Sequence, residues 1–381
     1  MVALAHLELP AVSGQLAFDT FFWSAVAVSC LVALYCWLPS GQAEGRVNDR
    51  LAKYTKFWRK DLEQDTERDQ ETRLEEYQDV VNGYYDGATI LYEWAWSKKF
   101  HFGRFFKGEG FEAALLRHEH YLASQMGIRP GMRVLDVGCG IGDPARCIAR
   151  FTGATVVGIN NNDFQLGRAR KYTKEAGLEG QVSFVKGDFM KLVETFGENS
   201  FDAVYGIEAT CHAPNFEGIY GQIQRVLKPG GVFGVYEWAM TESWDPSIPE
   251  HKLCSSGIEF SCGIPEMRPL SKVKEALHNV GFKIEYAADL ADNQDEVPWY
   301  YPLEGDINKA QTAWDVLMCW RISRSGRLVS HTFMRALEAV RLLPKGTCAV
   351  VDSMTVALSA LVQGGQQKIF TPMFLAVCRK Q

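Results

Sequence analysis

The chain has 381 residues, is 47% hydrophobic and carries a formal net charge of -6. That length supports two domains, or one large α/β domain with appendages, so a sizeable core is available. The acidic balance argues against a nucleic-acid partner, which would call for clustered Lys and Arg on the body, and ten cysteines without a Cys-x-x-Cys pair read as reduced thiols.

Residues 20–38 hold no charged side chain and are rich in aromatic and branched residues, long enough to cross a bilayer once as a helix. Glu8 and Asp19 are the acidic residues before this run. Arg46, Arg50, Lys53, Lys56, Arg59 and Lys60 follow it, and that bias places the body in the cytosol. A cleaved signal peptide is the competing reading, but no Lys or Arg precedes the run. Residues 1–45 are therefore expected to be a tail and membrane anchor, and 46–76 a charged, solvated helical connector.

Residues 77–128 form an aromatic-rich helical cap, with Tyr84, Tyr85, Tyr92, Trp94, Trp96, Phe100 and Phe102 closely spaced around Glu93 and His101. Such a cluster in front of a ligand-binding domain suggests a lid over an apolar ligand. His118 and His120, two apart, face different ways on a helix, so no metal pair is expected there.

From 129 to 288 strand and helix alternate. The apolar run VLDVGCGIG at 134–142 enters a turn and then a helix. Gly138, Gly140 and Gly142 clear the way for close passage of a ligand along the backbone. With Asp136 two residues before Gly138, the spacing differs from the dinucleotide pattern and favours S-adenosylmethionine over NAD. Further strands are expected at 154–160, 182–188, 201–207 and 231–236, with a turn at 228–231, then a helix at 271–280 and a strand at 282–287. Residues 289–381 are a helical insertion, with segments near 307–322, 327–343 and 347–362, followed by a last strand at 370–378. The fold class is α/β: a doubly wound, mainly parallel seven-stranded sheet with a helical cap and a late insertion.

In such a sheet the ligand lies across the carboxyl ends of the strands. Asn160 and Asn161 stand where an acidic residue usually binds ribose hydroxyls. Asp188 is placed to accept an adenine amino group, with Phe189 packing on the ring, and Glu208 and the segment Tyr236 to Trp238 follow later strands.

The runs GCGIGDP at 138–144, GINNN at 158–162, IEATCHAP at 207–214, YEW at 236–238 and IFTP at 369–372 resemble sterol 24-C-methyltransferases, from about residue 91 onward. The run from Glu208 to Pro214 is the most specific piece. The resemblance implies a class I methyltransferase fold, S-adenosylmethionine as donor, a Δ24 sterol such as cycloartenol as acceptor, and residence at the endoplasmic reticulum membrane. Departures are YEWAWS at 92–97, where the family usually has glycines, and Asp143, where a glycine is common.

The implied reaction is electrophilic methylation at C24, with a carbocation, a hydride shift and a deprotonation. Tyr92, Trp94, Phe100, Tyr236 and Trp238 are the candidate rings for the acceptor and its cation. Glu208 and His212 are the first choices for the base, and His101 and Glu93 the second. The alternatives are a methyltransferase for a small amine or phenol, which predicts a charged pocket, and an inactive membrane-tethered binding protein. The sequence leaves self-association into a homo-oligomer open.

Overall fold

The computed structural model describes residues 54–381 except 59–61, 293–294 and 342–346. The expected tail and anchor, 1–45, lie outside the described residues. Among those described, no helix is long and apolar enough to cross a membrane.

Seven strands form one sheet: β1 Arg133–Val137, β2 Thr155–Asn160, β3 Val182–Lys186, β4 Phe201–Ile207, β5 Leu227–Met240, β6 Phe282–Asp289 and β7 Phe370–Lys380. Their order is β3-β2-β1-β4-β5-β7-β6. The strands β1 to β5 pair in parallel, whereas β7 runs antiparallel between β5 and β6, so the sheet is mixed. Val134, Leu135 and Val137 on β1 are fully buried. A strand covered on both faces reads as a near-continuous apolar run, and each such side chain contributes about 1.5–3 kcal/mol.

The helices Asp143–Thr152, Asp163–Glu175, Phe216–Val226 and Leu270–Asn279 supply the crossovers. The expected turn at 228–231 is absorbed into β5. Leu227 pairs with Phe201 and Val232 with Ala203, so the four intervening residues form an outward bulge in one continuous strand.

The cap consists of Glu67–Glu75, Tyr77–Ala95 and Phe111–Gln125. Its entry is less solvated than a charged connector suggests. Tyr54, Phe57 and Trp58 are buried with Val80, Tyr84 and Ala88, and Arg73, itself buried, pairs with Asp65 at 2.6 Å. An ion pair so well covered is held by the packing around it, here the helix Pro249–Cys262, whose Glu259 lies 3.8 Å away.

That helix was not expected. Ser, Gly and Cys interrupt any apolar stripe along it, although Pro249 at its start and Gly263 in the left-handed region after its end are ordinary boundary signals. The insertion holds Ala313–Ile322, Arg324–Ala339 and Thr347–Gln366, close to the expected segments.

Candidate active site

The sheet order reverses at β1, so the connections after β1 and β4 leave to opposite faces and open a crevice at the strand ends. A cleft of about 630 Å³, counting its open mouth, runs past Gly138, Gly140, Asn160, Asn161, Asp188 and Phe189. At Gly140, with φ +52°, nothing lies within 4 Å of where a Cβ would stand. A side chain there would enter open space beside the turn. At Gly142, φ +73°, a Cβ would meet the Phe184 ring at 2.5 Å, so this glycine packs the turn onto β3.

Asp136 is buried, and its Oδ2 lacks a hydrogen bond of proper geometry. Burial pushes its carboxyl up to about 7. It lines a smaller cavity with Gly138, Gly140, Lys98 and His101. A buried carboxyl whose neighbour, the Tyr205 hydroxyl, is out of line for a full hydrogen bond, beside an open glycine turn, fits the amino group of a methionyl moiety, and the larger cleft beyond fits a nucleoside.

Both oxygens of Asp188 are engaged, by Tyr77 at 2.7 Å and Gln78 at 2.8 Å, and the Tyr77 ring stacks on Phe189 at 6.4 Å. The cap thus closes over this end of the cleft. Asn160 braces the turn, its amide donating to Gln165 at 2.7 Å and to the Gly140 carbonyl at 3.4 Å.

A second, mainly apolar cavity of about 960 Å³ lies beneath the cap, walled by Tyr84, Tyr92, Trp96, Phe102 and Trp238, with Leu303 and Leu361 from the insertion. Four residues line both spaces: Tyr85, Phe100, Glu208 and His212. They form the wall between the two spaces.

Glu208 leaves β4 with φ +54°, a left-handed conformation that costs an ordinary residue about 1–2 kcal/mol. Its backbone N–H donates to the Tyr236 carbonyl at 2.9 Å, and its Oε1 accepts from the Phe102 N–H at 2.6 Å. Burial raises this carboxyl to about 8, against the opposing influence of His101 and the Phe102 amide. His212 follows on the 3-10 turn Thr210–His212. Its Nδ1 lies 3.0 Å from the Gly263 carbonyl, which only accepts, so Nδ1 carries the proton and Nε2 accepts from Tyr85 at 3.2 Å. Burial holds this ring neutral, its pKa lowered to about 4.

Tyr92 and Phe100 pack as a tilted pair at 5.1 Å in the cavity wall, and Trp238 sits 5.7 Å from Phe102. Tyr236 does not face either space. It is fully buried and stacks on His118 at 3.8 Å, on the same face of β5 as Trp238 but further from the strand end, under the cap helix Phe111–Gln125. Glu93 also lines neither cavity. It pairs with Arg168 at 2.8 Å and accepts from Tyr172, tying the cap to the helix after β2. The Trp94 side chain lies outside the described residues. Sequence reasoning gave Tyr77 no role and counted Tyr85 only as one ring of the lid. Both fall on the face of Tyr77–Ala95 that a spacing of eight, two helical turns plus a little, would have flagged.

Residues 128–296 match a family described as "Methyltransferase domain", and residues 317–381 one described as "Sterol methyltransferase C-terminal". The sterol 24-C-methyltransferase of Schizosaccharomyces pombe is 50% identical over 332 residues, 87% of each chain. That of Saccharomyces cerevisiae is 48% identical over 87% of this chain and 85% of its own. Among solved structures, a cyclopropane synthase from Mycobacterium tuberculosis superposes with a TM-score of 0.60 at 15% identity, covering 80% of this chain and 98% of its own. A geranyl diphosphate C-methyltransferase from Streptomyces coelicolor with S-adenosyl-L-homocysteine bound gives 0.56 at 14%, covering 80% and 98%. These two likenesses show the fold, a class I methyltransferase sheet. With a donor cleft, an apolar acceptor cavity and half-identity to curated relatives along most of its length, the chain belongs to the sterol 24-C-methyltransferase family.

Proposed function

We propose that this enzyme methylates C24 of a Δ24 sterol side chain, held in the aromatic cavity, and that Glu208 takes the departing proton. Bound S-adenosylmethionine supplies an electrophilic methyl group. The C24=C25 electron pair forms the new bond, a hydride moves from C24 to C25, and a proton leaves the added methyl group to give a methylidene. No nucleophile has to be activated, so the residues align the partners, exclude water and tolerate a cation. Tyr84, Tyr92, Phe100 and Trp238 present ring faces or edges to the cavity, and a desolvated face contributes about 2 kcal/mol to a cation.

The observation that carries the reading is that the wall shared by the two spaces contains one carboxyl group, Glu208, beside two rings and a histidine. His212 is the weaker base, because its free nitrogen already accepts from Tyr85 and burial opposes its charging. A small charged acceptor is disfavoured by the apolar lining. Incubation with methyl-labelled donor and a panel of Δ24 sterols is expected to give C24-methylated product with wild type, and Glu208→Gln to lose most turnover. Absence of labelled sterol across the panel would sink the activity. Near-normal turnover in Glu208→Gln would sink the base.

We further propose that the apolar run at 20–38 tethers this body on the cytosolic side of the endoplasmic reticulum. The support is its length and the basic residues that follow it. A sterol spends its time in the bilayer, so the tether raises encounter frequency without touching the site.

A further inference from the structure

Behind the shared wall runs a chain of charged side chains that methyl transfer does not itself use. Arg146 meets Asp143 Oδ1 at 2.8 Å, and Asp143 Oδ2 meets Lys99 Nζ at 2.7 Å. Lys99 Nζ also donates to both oxygens of Glu119, at 3.0 and 2.9 Å. Glu119 Oε1 lies 3.0 Å from His101 Nε2, and His101 Nδ1 lies 2.7 Å from the Phe102 carbonyl. The N–H of that same Phe102 is the donor held by Glu208. Lys99, His101 and Glu119 are all buried, Glu119 completely. Asp143, a departure from the family pattern in the sequence, turns out to complete the pairing of Lys99.

The proton positions follow from what each partner is able to do. A backbone carbonyl has no proton to give, so His101 Nδ1 must be the donor to Phe102. An ammonium on both oxygens of Glu119 requires the carboxylate, since a buried ammonium against a neutral acid would be left uncompensated. A carboxylate only accepts, so His101 Nε2 is also a donor. Both ring nitrogens therefore carry protons.

We propose that Lys99 and Glu119 are positioning residues that hold His101 as an imidazolium, and that its fixed charge lets Glu208 shed its proton near neutral pH. This rests on the reading of Glu208 as the base. The groups facing His101 are Glu119 and His118 from the cap helix Phe111–Gln125, Lys99 from its own segment, Asp136 from the end of β1 and Glu208 from the end of β4. The His118 ring lies 6.0 Å away, and burial keeps it uncharged. Burial alone would also discharge His101, but the bond to Glu119, with Glu208 adding to it, outweighs that and raises its pKa. His101 has no lone pair to offer, which removes it from the candidate bases and leaves it an electrostatic part.

The test is nitrogen NMR of the full chain labelled at its eight histidines, with His101 assigned through the loss of its signals in His101→Gln. Wild type at pH 7.5 is expected to show both His101 nitrogens protonated, and Glu119→Gln a neutral ring. A neutral His101 in wild type overturns the proposal without touching the role of Glu208. The second readout is the pH profile of kcat on detergent-dispersed sterol. Glu119→Gln is expected to move the acidic limb up by about one pH unit and to lower kcat at neutral pH about tenfold. Donor Kd is expected to stay within about twofold. Lys99→Met shifts the limb in the same direction, and Lys99→Arg restores it. An unmoved limb in both Glu119→Gln and Lys99→Met overturns the link to Glu208, and wild-type NMR decides the imidazolium even where a variant folds poorly.

Discussion

The donor cleft and the acceptor cavity share a wall but are made in different ways. The cleft is floored by strand ends, a glycine turn, an asparagine pair and an Asp-Phe pair, each a few residues long, with Tyr77, Val81, Tyr85 and Phe100 of the cap closing over them. The cavity draws Tyr84 and Tyr92 from one helix, Trp238 from β5, Cys262 from another helix, and Leu303 and Leu361 from the insertion. One site rests mainly on short motifs at strand ends, the other on side chains gathered from across the chain. A local site tolerates almost no change at its glycines, whereas a distributed one loses function by degrees.

The largest contrast is expected at Gly140. A side chain there enters the open space that the donor would fill, so Gly140→Val is expected to weaken donor binding on the order of a hundredfold, the equivalent of about 2.7 kcal/mol. Titration calorimetry with S-adenosylmethionine checks this, and an unchanged affinity would place the donor elsewhere. On the acceptor side, Tyr92→Leu, in the wall of that cavity alone, keeps an apolar surface but removes a ring face. Turnover is expected to fall roughly tenfold, the equivalent of about 1.4 kcal/mol, with donor affinity less affected. Single-turnover rates and donor Kd measured together separate these, and equal losses in both would show that the two spaces are not distinct in function.

The smallest effect is on stability. Burial raises the carboxyls of Asp136 and Glu237 to about 7 and those of Glu208 and Glu259 to about 8. The folded protein therefore keeps protons that the unfolded chain has released above about pH 4. Folding binds protons in this range, so stability falls as pH rises towards 8. His212 works the other way, since its lowered value makes stability fall as pH drops from about 6.5 towards 4. The Tm of the donor-free protein at pH 6.5 is expected to exceed that at pH 8.5 by roughly 2–4 °C, read by calorimetry. A flat or rising Tm over that interval would mean that these carboxyls are hydrated and not buried.

The same contrast explains what the sequence revealed. The strands near the glycine turn were legible because apolar runs bounded by turn residues determine them locally, and β4 was anticipated at its observed ends. Gly138, Gly140, Asn160 and Asp188 followed from their places after strands. Tyr236 was misplaced for a reason of depth: it shares a face of β5 with Trp238, which does line the cavity, but lies further from the strand end, where the cap helix sets His118 on it. Glu93 looked like a cavity residue because it sits among rings, but its partners Arg168 and Tyr172 lie on a helix about 80 positions later. The buried chain from Arg146 to His101 was invisible for the same reason, since no local pattern announces that Lys99 will meet Asp143.

The place of β7 in the sheet has a consequence for how the molecule is assembled. β6 hydrogen-bonds to β7 and to no other described strand, and β7 follows only after the whole helical insertion. As the chain emerges from the ribosome, β5 presents an unpaired edge and β6 has nothing to join until residues 370–380 have been made. The parallel half of the sheet can form early, but its far edge stays open to mispairing with other chains until β7 has been made.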